Sequence, residues 1–185
     1  MAVLIAFLRA VNVGGASSIK MEALRGLCPA LGLRHATTLL QSGNLVAAHD
    51  DGEADELAQR LEAAIAQDHP YKPRVIGRSA AELRRMVENN PLAPGDTRKP
   101  NHLLVMPLER EPDGGALARL RERHGGPEEI ALVGSDLYLH YVDGIGRSKL
   151  TNALIERQLG VQGTARNWNT ISKLVELAEE VEARG

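Results

Sequence analysis

Cysteine and aromatic residues are scarce in this chain of 185 residues, which has one cysteine and 3% aromatic residues. Cys28 has no second cysteine with which to form an intrachain disulfide, a Cys-x-x-Cys redox pair or a zinc ribbon. The low aromatic content argues against a protein that binds single-stranded nucleic acid by stacking several bases on aromatic rings. A reducing compartment, the cytoplasm, is therefore the predicted location.

Charge imbalance and long apolar runs are also missing. The formal net charge is -2, so the composition predicts neither a strongly basic nucleic-acid binder nor an acidic disordered chain. The apolar run from Ala2 to Leu8 stops at Arg9 and is too short for a signal peptide or a membrane span. We interpret this run as a buried strand and predict no interaction with a membrane.

Side chains suited to metal or redox chemistry are few. The six histidines are scattered without His-x-x-x-His spacing. Cys28 is interpreted as a buried, inert thiol because it lies next to Pro29 on an apolar helix. Ser42 lacks a Gly-x-Ser-x-Gly elbow, and no other nucleophile is indicated. The sequence predicts no metal site and no cofactor, and it leaves open whether the chain is an enzyme.

The apolar residues follow a repeated order of strands and helices. From residue 3 to residue 76 the order is strand, helix, strand, strand, helix, strand, with a hairpin turn at 41–44 and a helix end near Pro29. This is the split βαβ pattern of ferredoxin-like folds. A capping box of Ser79 and Glu82 predicts the start of a further helix. The same order begins again at His102 and is followed by a C-terminal helix.

The predicted fold is thus α+β (mixed α/β), with two similar halves of ferredoxin-like βαββα(β) character. We expect an N-terminal half at residues 1–77, a helix and linker at 78–100, and a C-terminal half with an extra C-terminal helix at 101–185. The linker is placed there because residues 92–100 are rich in proline and glycine. With 43% apolar residues, the chain can bury a substantial core.

Two groups of residues resemble one known family. The N-terminal group is Leu8-Arg9, Asn12-Val13-Gly14-Gly15, Lys20-Met21, Leu24 and Gln41-Ser42-Gly43-Asn44, and the C-terminal group is Ser148-Lys149-Leu150, Thr164-Ala165-Arg166-Asn167-Trp168, Thr170 and Lys173-Leu174. Together they resemble domain-of-unknown-function family 1697 over nearly the whole chain. The departures, Leu39, Ala48 and Leu92 in place of aromatic residues, concern packing. The resemblance implies two α/β halves of ferredoxin-like character and a bacterial cytoplasmic setting, without an established activity.

Polar residues near the N terminus form the first candidate ligand site. Strands one and two of a split βαβ unit are parallel, so the loop after strand one and the turn after strand two share one end of the sheet. The candidate residues there are Arg9, Asn12, Gly14, Gly15, Lys20, Ser42, Gly43 and Asn44. Their backbone N–H groups and positive charges could hold an anion. The alternative is that the glycines and the Ser-Gly-Asn turn serve backbone geometry alone.

Two C-terminal segments form the second candidate site. Residues 143–149 are rich in glycine and lie between a predicted strand and a predicted helix. They lack the Gly-Lys-Ser/Thr ending of a Walker A loop. We therefore expect only a looser contact with an anion, by Arg147 or Lys149. Asn167 can cap the last helix. The planar guanidinium of Arg166 suits a carboxylate or phosphate and is the strongest single candidate for a ligand contact. The alternative role of Arg166 is a salt bridge between the halves.

The leading functional hypothesis joins these two sites. It predicts binding, or conversion, of a small anionic ligand, phosphorylated or carboxylated, in a basic groove between the two halves. The groove would be lined by the N-terminal candidates together with Lys149, Arg166 and Asn167. The alternative hypothesis is a non-enzymatic interaction module that binds nucleic acid or protein. The sequence makes no prediction of oligomeric state.

Overall fold

The computed structural model describes residues 1–9, 19–70 and 72–184 and has the α+β fold that the sequence predicts, with two four-stranded antiparallel sheets. Within these ranges the strands are β1 (Ala2–Leu8), β2 (Arg34–Leu39), β3 (Asn44–His49), β4 (Val75–Ser79), β5 (Leu103–Pro107), β6 (Glu129–Val133), β7 (Asp136–His140) and β8 (Arg166–Asn167). The helices there are α1 (Met21–Leu27), α2 (Ala54–Asp68), α3 (Ala80–Glu88), α4 (Ala116–His124), α5 (Asn152–Leu159) and α6 (Trp168–Ala183). None of these helices is long and apolar enough to cross a membrane.

The chain packs as two compact units whose limits differ from the predicted domain boundaries. The first unit is Met1–Arg85 together with the residues from Ser172 onward, and the second unit is Met86–Ile171. Helices α3 and α6 therefore each contribute residues to both units, whereas the sequence placed α3 in the linker at 78–100 and α6 in the C-terminal half at 101–185. Part of the reason is long-range pairing, since Arg84 on α3 forms an ion pair with Glu182 on α6 inside the first unit.

The sheet of the first unit has the strand order β2-β3-β1-β4, with every neighbouring pair antiparallel. Because β1 and β2 are both antiparallel to β3, they run in the same direction, and the end of β1 lies beside the β2–β3 turn. The register of β2 is irregular between Arg34 and Thr37, where His35 has a positive φ of 52°. The element order that the sequence predicts for residues 3–76 is confirmed.

The core of the first unit lies between its sheet and helices α1 and α2. Leu4, Ala6 and Leu8 of β1 belong to one buried apolar cluster with residues of both helices. Helix α2 approaches β4 closely at Gly77, where a Cβ atom would lie 2.6 Å from the Ala54 carbonyl carbon and closer still to its oxygen. Only a residue without a side chain therefore fits at this point of the strand.

Local signals in the sequence set the ends of two helices in the first unit. Helix α1 ends before Pro29, which begins a short 3₁₀ turn, as predicted. The capping box before α3 is also confirmed, because the Ser79 N–H donates to Glu82 Oε2 at 2.7 Å and the Glu82 N–H donates to Ser79 Oγ at 3.2 Å. Cys28, next to Pro29, is buried, and its burial raises the pKa of the thiol to about 11.

The second unit repeats the topology of the first. Its sheet has the order β6-β7-β5-β8 and is again antiparallel throughout. Strand β5 corresponds to β1, β6 to β2, β7 to β3 and β8 to β4. Helix α4 corresponds to α1, and helix α5 corresponds to α2. Its apolar core contains Leu120 of α4, Leu139 of β7 and Ile155 of α5. The buried hydroxyl of Tyr138 donates to the Met86 carbonyl at 2.8 Å. The repeated order that the sequence predicts is therefore present in three dimensions.

Candidate functional site

The N-terminal candidates are described only in part. Asn12, Gly14 and Gly15 lie outside the described residues. Arg9 follows β1 directly, and its N–H donates to the Arg74 carbonyl at 2.8 Å. Lys20 is exposed and precedes α1. Anion binding by this group stays a prediction.

The predicted turn residues Ser42, Gly43 and Asn44 build the β2–β3 hairpin. Gly43 has a φ of 76°, and its carbonyl accepts the Leu8 N–H at 2.8 Å. Asn44 is fully buried, and its side-chain amide donates to the Leu39 carbonyl at 2.9 Å and to Ser42 Oγ at 3.1 Å. These bonds give Gly43 and Asn44 a structural role in the turn, which is the alternative that the sequence left open.

Arg166 and Asn167 form the short strand β8 in the second unit. Arg166 is 8% exposed, and its guanidinium donates to Thr164 Oγ1 at 2.6 Å and to the Ala165 carbonyl at 3.0 Å. Burial lowers the pKa of this guanidinium to about 10. Asn167 caps α6 as predicted, since its Oδ1 accepts the Asn169 N–H at 3.0 Å. Arg166 is thus largely buried, and its guanidinium donates to groups of the second unit; a ligand contact by Arg166 stays a prediction.

Lys149 lies in the segment between β7 and α5, which borders a cavity of about 560 Å³. We call it the loop cavity. Its walls come from the end of α4, from the residues that lead into β6, and from the segment after β7. The lining residues are His124, Gly125, Gly126, Pro127, Glu128, Asp143, Gly144, Arg147, Ser148 and Lys149. Of the residues that the sequence predicts in a site, Lys149 and Arg147 come together here.

Three hydrogen-bonded side chains form one wall of the loop cavity. Ser148 Oγ donates to Glu128 Oε1, and the other carboxylate oxygen contacts His124 Nε2. The Leu150 N–H donates to Ser148 Oγ at 3.0 Å, which ties the serine to the start of the next segment. The side chains of His124 and Glu128 are only 4% and 7% exposed. The wall is therefore a fixed array of polar atoms.

Gly126 allows this array to form. A Cβ at Gly126 would lie 2.5 Å from Glu128 Oε2 and 2.7 Å from His124 Cε1. The backbone therefore passes directly against the contact between the carboxylate and the imidazole. A side chain at this position would displace the ends of both side chains, so glycine suits it through close approach rather than through its torsion angles.

The electrostatics of the wall favour an ionised Glu128. Burial acts to raise the pKa of this carboxyl, but the hydrogen bonds from Ser148 and His124 outweigh burial and hold the pKa below its ordinary value. His124 Nδ1 is buried and has no hydrogen-bond partner within the described part of the chain. This nitrogen is an exception to the rule that buried polar groups are hydrogen-bonded.

The rim of the loop cavity is basic. Arg147 and Lys149 are both exposed, and among the described residues neither side chain has a carboxylate within 4.0 Å. Asp143 contributes one exposed carboxylate to the same rim. The arrangement combines two cations at the mouth with hydrogen-bonding groups inside.

A second charged cluster lies on β6 and β7 of the same unit. Glu129 accepts two hydrogen bonds from Arg98, at 2.8 and 2.9 Å, and one contact from His140 Nδ1 at 2.8 Å. The hydrogen bond from Arg98 is the main cause that lowers the pKa of Glu129 to about 2, with a smaller contribution from His140. These groups satisfy one another, so the cluster is a structural element of the sheet.

Sequence reasoning missed His124 and Glu128. They flank the Gly125-Gly126-Pro127 turn, and only the tertiary fold brings them to Ser148, about 20 residues further on. The available signal was the pair of glycines between a helix and a strand, which permits a close backbone approach. In the described residues no group of three or more histidine, cysteine, aspartate or glutamate side chains could hold a metal ion.

Similarity to known proteins is found in sequence and in structure. A family model described as a protein of unknown function, DUF1697, matches residues 1–138. No curated protein matches the chain. A solved structure that is similar is the conserved bacterial protein SP0830 from Streptococcus pneumoniae, with a TM-score of 0.67 and 17% identity over 96% of this chain and 98% of that chain. At this identity the likeness shows the fold alone.

Proposed function

Since the chain belongs to the DUF1697 family, a family of unknown function, we propose its function from the geometry of the second unit: it binds a small molecule that carries a phosphate or carboxylate group. The observation that carries this proposal is the loop cavity, with Arg147 and Lys149 at its mouth. Its volume of about 560 Å³ lies within the range of small-molecule sites, about 300–1,000 Å³. The proposal keeps the predicted ligand class and locates the binding residues in one unit.

The cations at the mouth would hold the anionic group of the ligand. A guanidinium and an ammonium with no carboxylate partner among the described residues gain charge-assisted hydrogen bonds when an anion arrives. Such bonds are stronger than bonds between neutral groups. Arg147 closes a short 3₁₀ turn, Ile145–Arg147, so its backbone position is defined before the ligand binds. The two cations are close in sequence and can act on one group.

The polar wall would recognise the rest of the ligand. The largely buried Glu128, whose pKa is held below its ordinary value, contacts His124 Nε2 and accepts from Ser148 Oγ. A ligand that carries hydroxyl or amino groups in addition to its anionic group offers hydrogen-bond partners to the wall and to Asp143. Sugar phosphates and hydroxylated or amino carboxylic acids have this chemistry.

The experiment is a thermal-shift screen of the full chain against inorganic phosphate, sugar phosphates, carboxylates and short oligonucleotides. A ligand at 100 times its Kd stabilises by about 2.7 kcal/mol, which raises the Tm by about 5–10 °C at this chain length. The variant Arg147→Ala with Lys149→Ala should show a clearly smaller shift. The matched control, Arg123→Ala with Lys99→Ala, removes the same charge from exposed positions outside the cavity and should keep the full shift.

Two outcomes would contradict the proposal. One is an equal ligand response in the cavity variant and in its control. The other is a response to oligonucleotides alone that weakens steeply with salt, which would support the interaction-module alternative. Strand β1 does not support that alternative, because Phe7, its aromatic residue, is fully buried and cannot stack on a base.

The finer classification of the chain is part of the same proposal. We assign it a ferredoxin-like fold, supported by the strand order β2-β3-β1-β4 and its repetition in the second unit. We assign it a bacterial cytoplasmic setting, supported by the buried single cysteine and by the bacterial source of the similar structure. Detection of the protein in the soluble fraction of a bacterial lysate checks the second assignment.

A further inference from the structure

The first unit contains a cavity of its own, of about 800 Å³. Its walls come from the end of α1 with the following 3₁₀ turn, from the start of β2, from the segment after β3, and from α2. The repeated topology makes this the counterpart of the loop cavity, which is formed by the end of α4, the residues leading into β6 and the segment after β7. We call it the arginine cavity because Arg25, Arg34 and Arg60 line it.

The three arginines differ in how their charges are balanced. Arg34 forms two hydrogen bonds with Asp50, at 2.6 and 2.8 Å, so these two charges offset each other. Arg60 donates to the Leu31 carbonyl at 3.2 Å, and Arg25 donates to Thr38 Oγ1 at 2.5 Å. Within the described ranges neither Arg25 nor Arg60 has a carboxylate within 4.0 Å. Their charges are therefore available to an anion.

The remaining groups of the wall do not cancel this charge. Asp51 adds one carboxylate, and the Cys28 thiol is neutral because burial raises its pKa to about 11. His35 lines the cavity with its backbone at a positive φ of 52°, a conformation that costs energy for a residue other than glycine. The pairing of β2 with β3 also shifts register between Arg34 and Thr37, at this wall of the cavity.

We infer that the arginine cavity binds a phosphate-bearing small molecule of about mononucleotide size, with Arg25 and Arg60 contacting the phosphate and His35 adding a hydrogen bond. Two guanidinium groups match the geometry of a phosphate, since each can donate two parallel hydrogen bonds to its oxygens. The cavity volume lies at the upper part of the small-molecule range. This site is distinct from the loop cavity, because it uses other residues in the other unit.

The test uses the full chain carrying Arg147→Ala and Lys149→Ala, which removes the cations of the loop cavity. Inorganic phosphate and then a nucleoside monophosphate are titrated while backbone amide NMR signals are followed. We expect shifts concentrated at residues 32–36 and 50–51. Adding Arg25→Gln and Arg60→Gln should weaken the Kd at least tenfold, since hydrogen bonds to charged groups contribute this much. The matched control, Arg85→Gln with Lys72→Gln, removes two exposed charges elsewhere in the first unit and should bind as before.

Each result decides the inference. Shifts at other residues, an unchanged Kd in the Arg25 and Arg60 variant, or equally tight binding of acetate overturns it. If that variant unfolds, Arg60→Lys is used in its place, because lysine keeps the charge and loses the paired donors. Weaker phosphate binding by Arg60→Lys supports the inference, and unchanged binding refutes it. Because the loop-cavity cations are absent throughout, failure here is separate from failure of the proposed function.

Discussion

Gly77→Ala is expected to destabilise the protein because β4 and α2 touch at this glycine. An alanine Cβ would lie 2.6 Å from the Ala54 carbonyl carbon and 3.0 Å from Ala58 Cβ. Ordinary contacts of a Cβ begin at 3.4 Å, so the helix must move away by about 1 Å. The atoms in the way belong mainly to backbone, which cannot swing aside as a side chain can.

The magnitude follows from two opposing effects. Overpacking of this kind costs about 1–3 kcal/mol, and a clash with helix backbone belongs at the upper end. Replacing glycine also reduces the freedom of the unfolded chain, which returns about 0.4–1 kcal/mol. The net loss of unfolding free energy is therefore about 2 kcal/mol, equivalent to a Tm lower by about 4–8 °C.

Urea and thermal unfolding followed by circular dichroism measure this change. The matched control is Gly26→Ala in α1, where no atom lies within 4 Å of the added Cβ. Because alanine favours a helix, the unfolding free energy of this variant should rise by up to about 1 kcal/mol. The reasoning is refuted if Gly77→Ala stays within about 0.5 kcal/mol of the wild type, the usual range of a neutral substitution.

Two further predictions concern the second unit. Gly126→Ala should push the side chains of Glu128 and His124 apart. Because the ends of flexible side chains can yield, we expect a small change in Tm but a smaller ligand-induced thermal shift. A ligand-induced shift equal to that of the wild type would contradict the role of the polar wall. The pKa of Glu129 is lowered from 4.5 to about 2, chiefly by Arg98, so its ionised form stabilises the fold fully above pH 4.5 and this contribution disappears as the pH falls toward 2. Acid unfolding should therefore show the stability difference between wild type and Glu129→Gln shrinking over that pH range, and a constant difference would count against the network.

Much of the fold could be predicted because its signals are local. The buried strand β1, the hairpin at Gly43, the helix end at Pro29 and the capping box at Ser79 each depend on residues within a few positions of one another. Strand β8 was missed because it has two residues and is defined only by pairing with β5. The division of α6 between units was missed for the same reason, since it depends on contacts distant in sequence.

The candidate site was harder to predict because binding surfaces assemble from separate segments. The glycine-rich segment that holds Lys149 was recognised from its own composition, whereas His124 and Glu128 join it only through the fold. Arg166 shows what composition does not report about such a candidate. Its side chain suits an anion by chemistry alone, but pairing of β8 with β5 buries it, and no local pattern reports that burial.

The buried Cys28 makes the protein convenient for site-specific labelling. With a thiol pKa of about 11, about one molecule in a thousand carries the reactive thiolate at pH 8, and the side chain is shielded as well. A cysteine introduced at an exposed position would therefore react with a fluorophore or spin label long before the native one. Conversely, the rate at which Cys28 is alkylated in the unlabelled protein measures how often the first unit opens around α1.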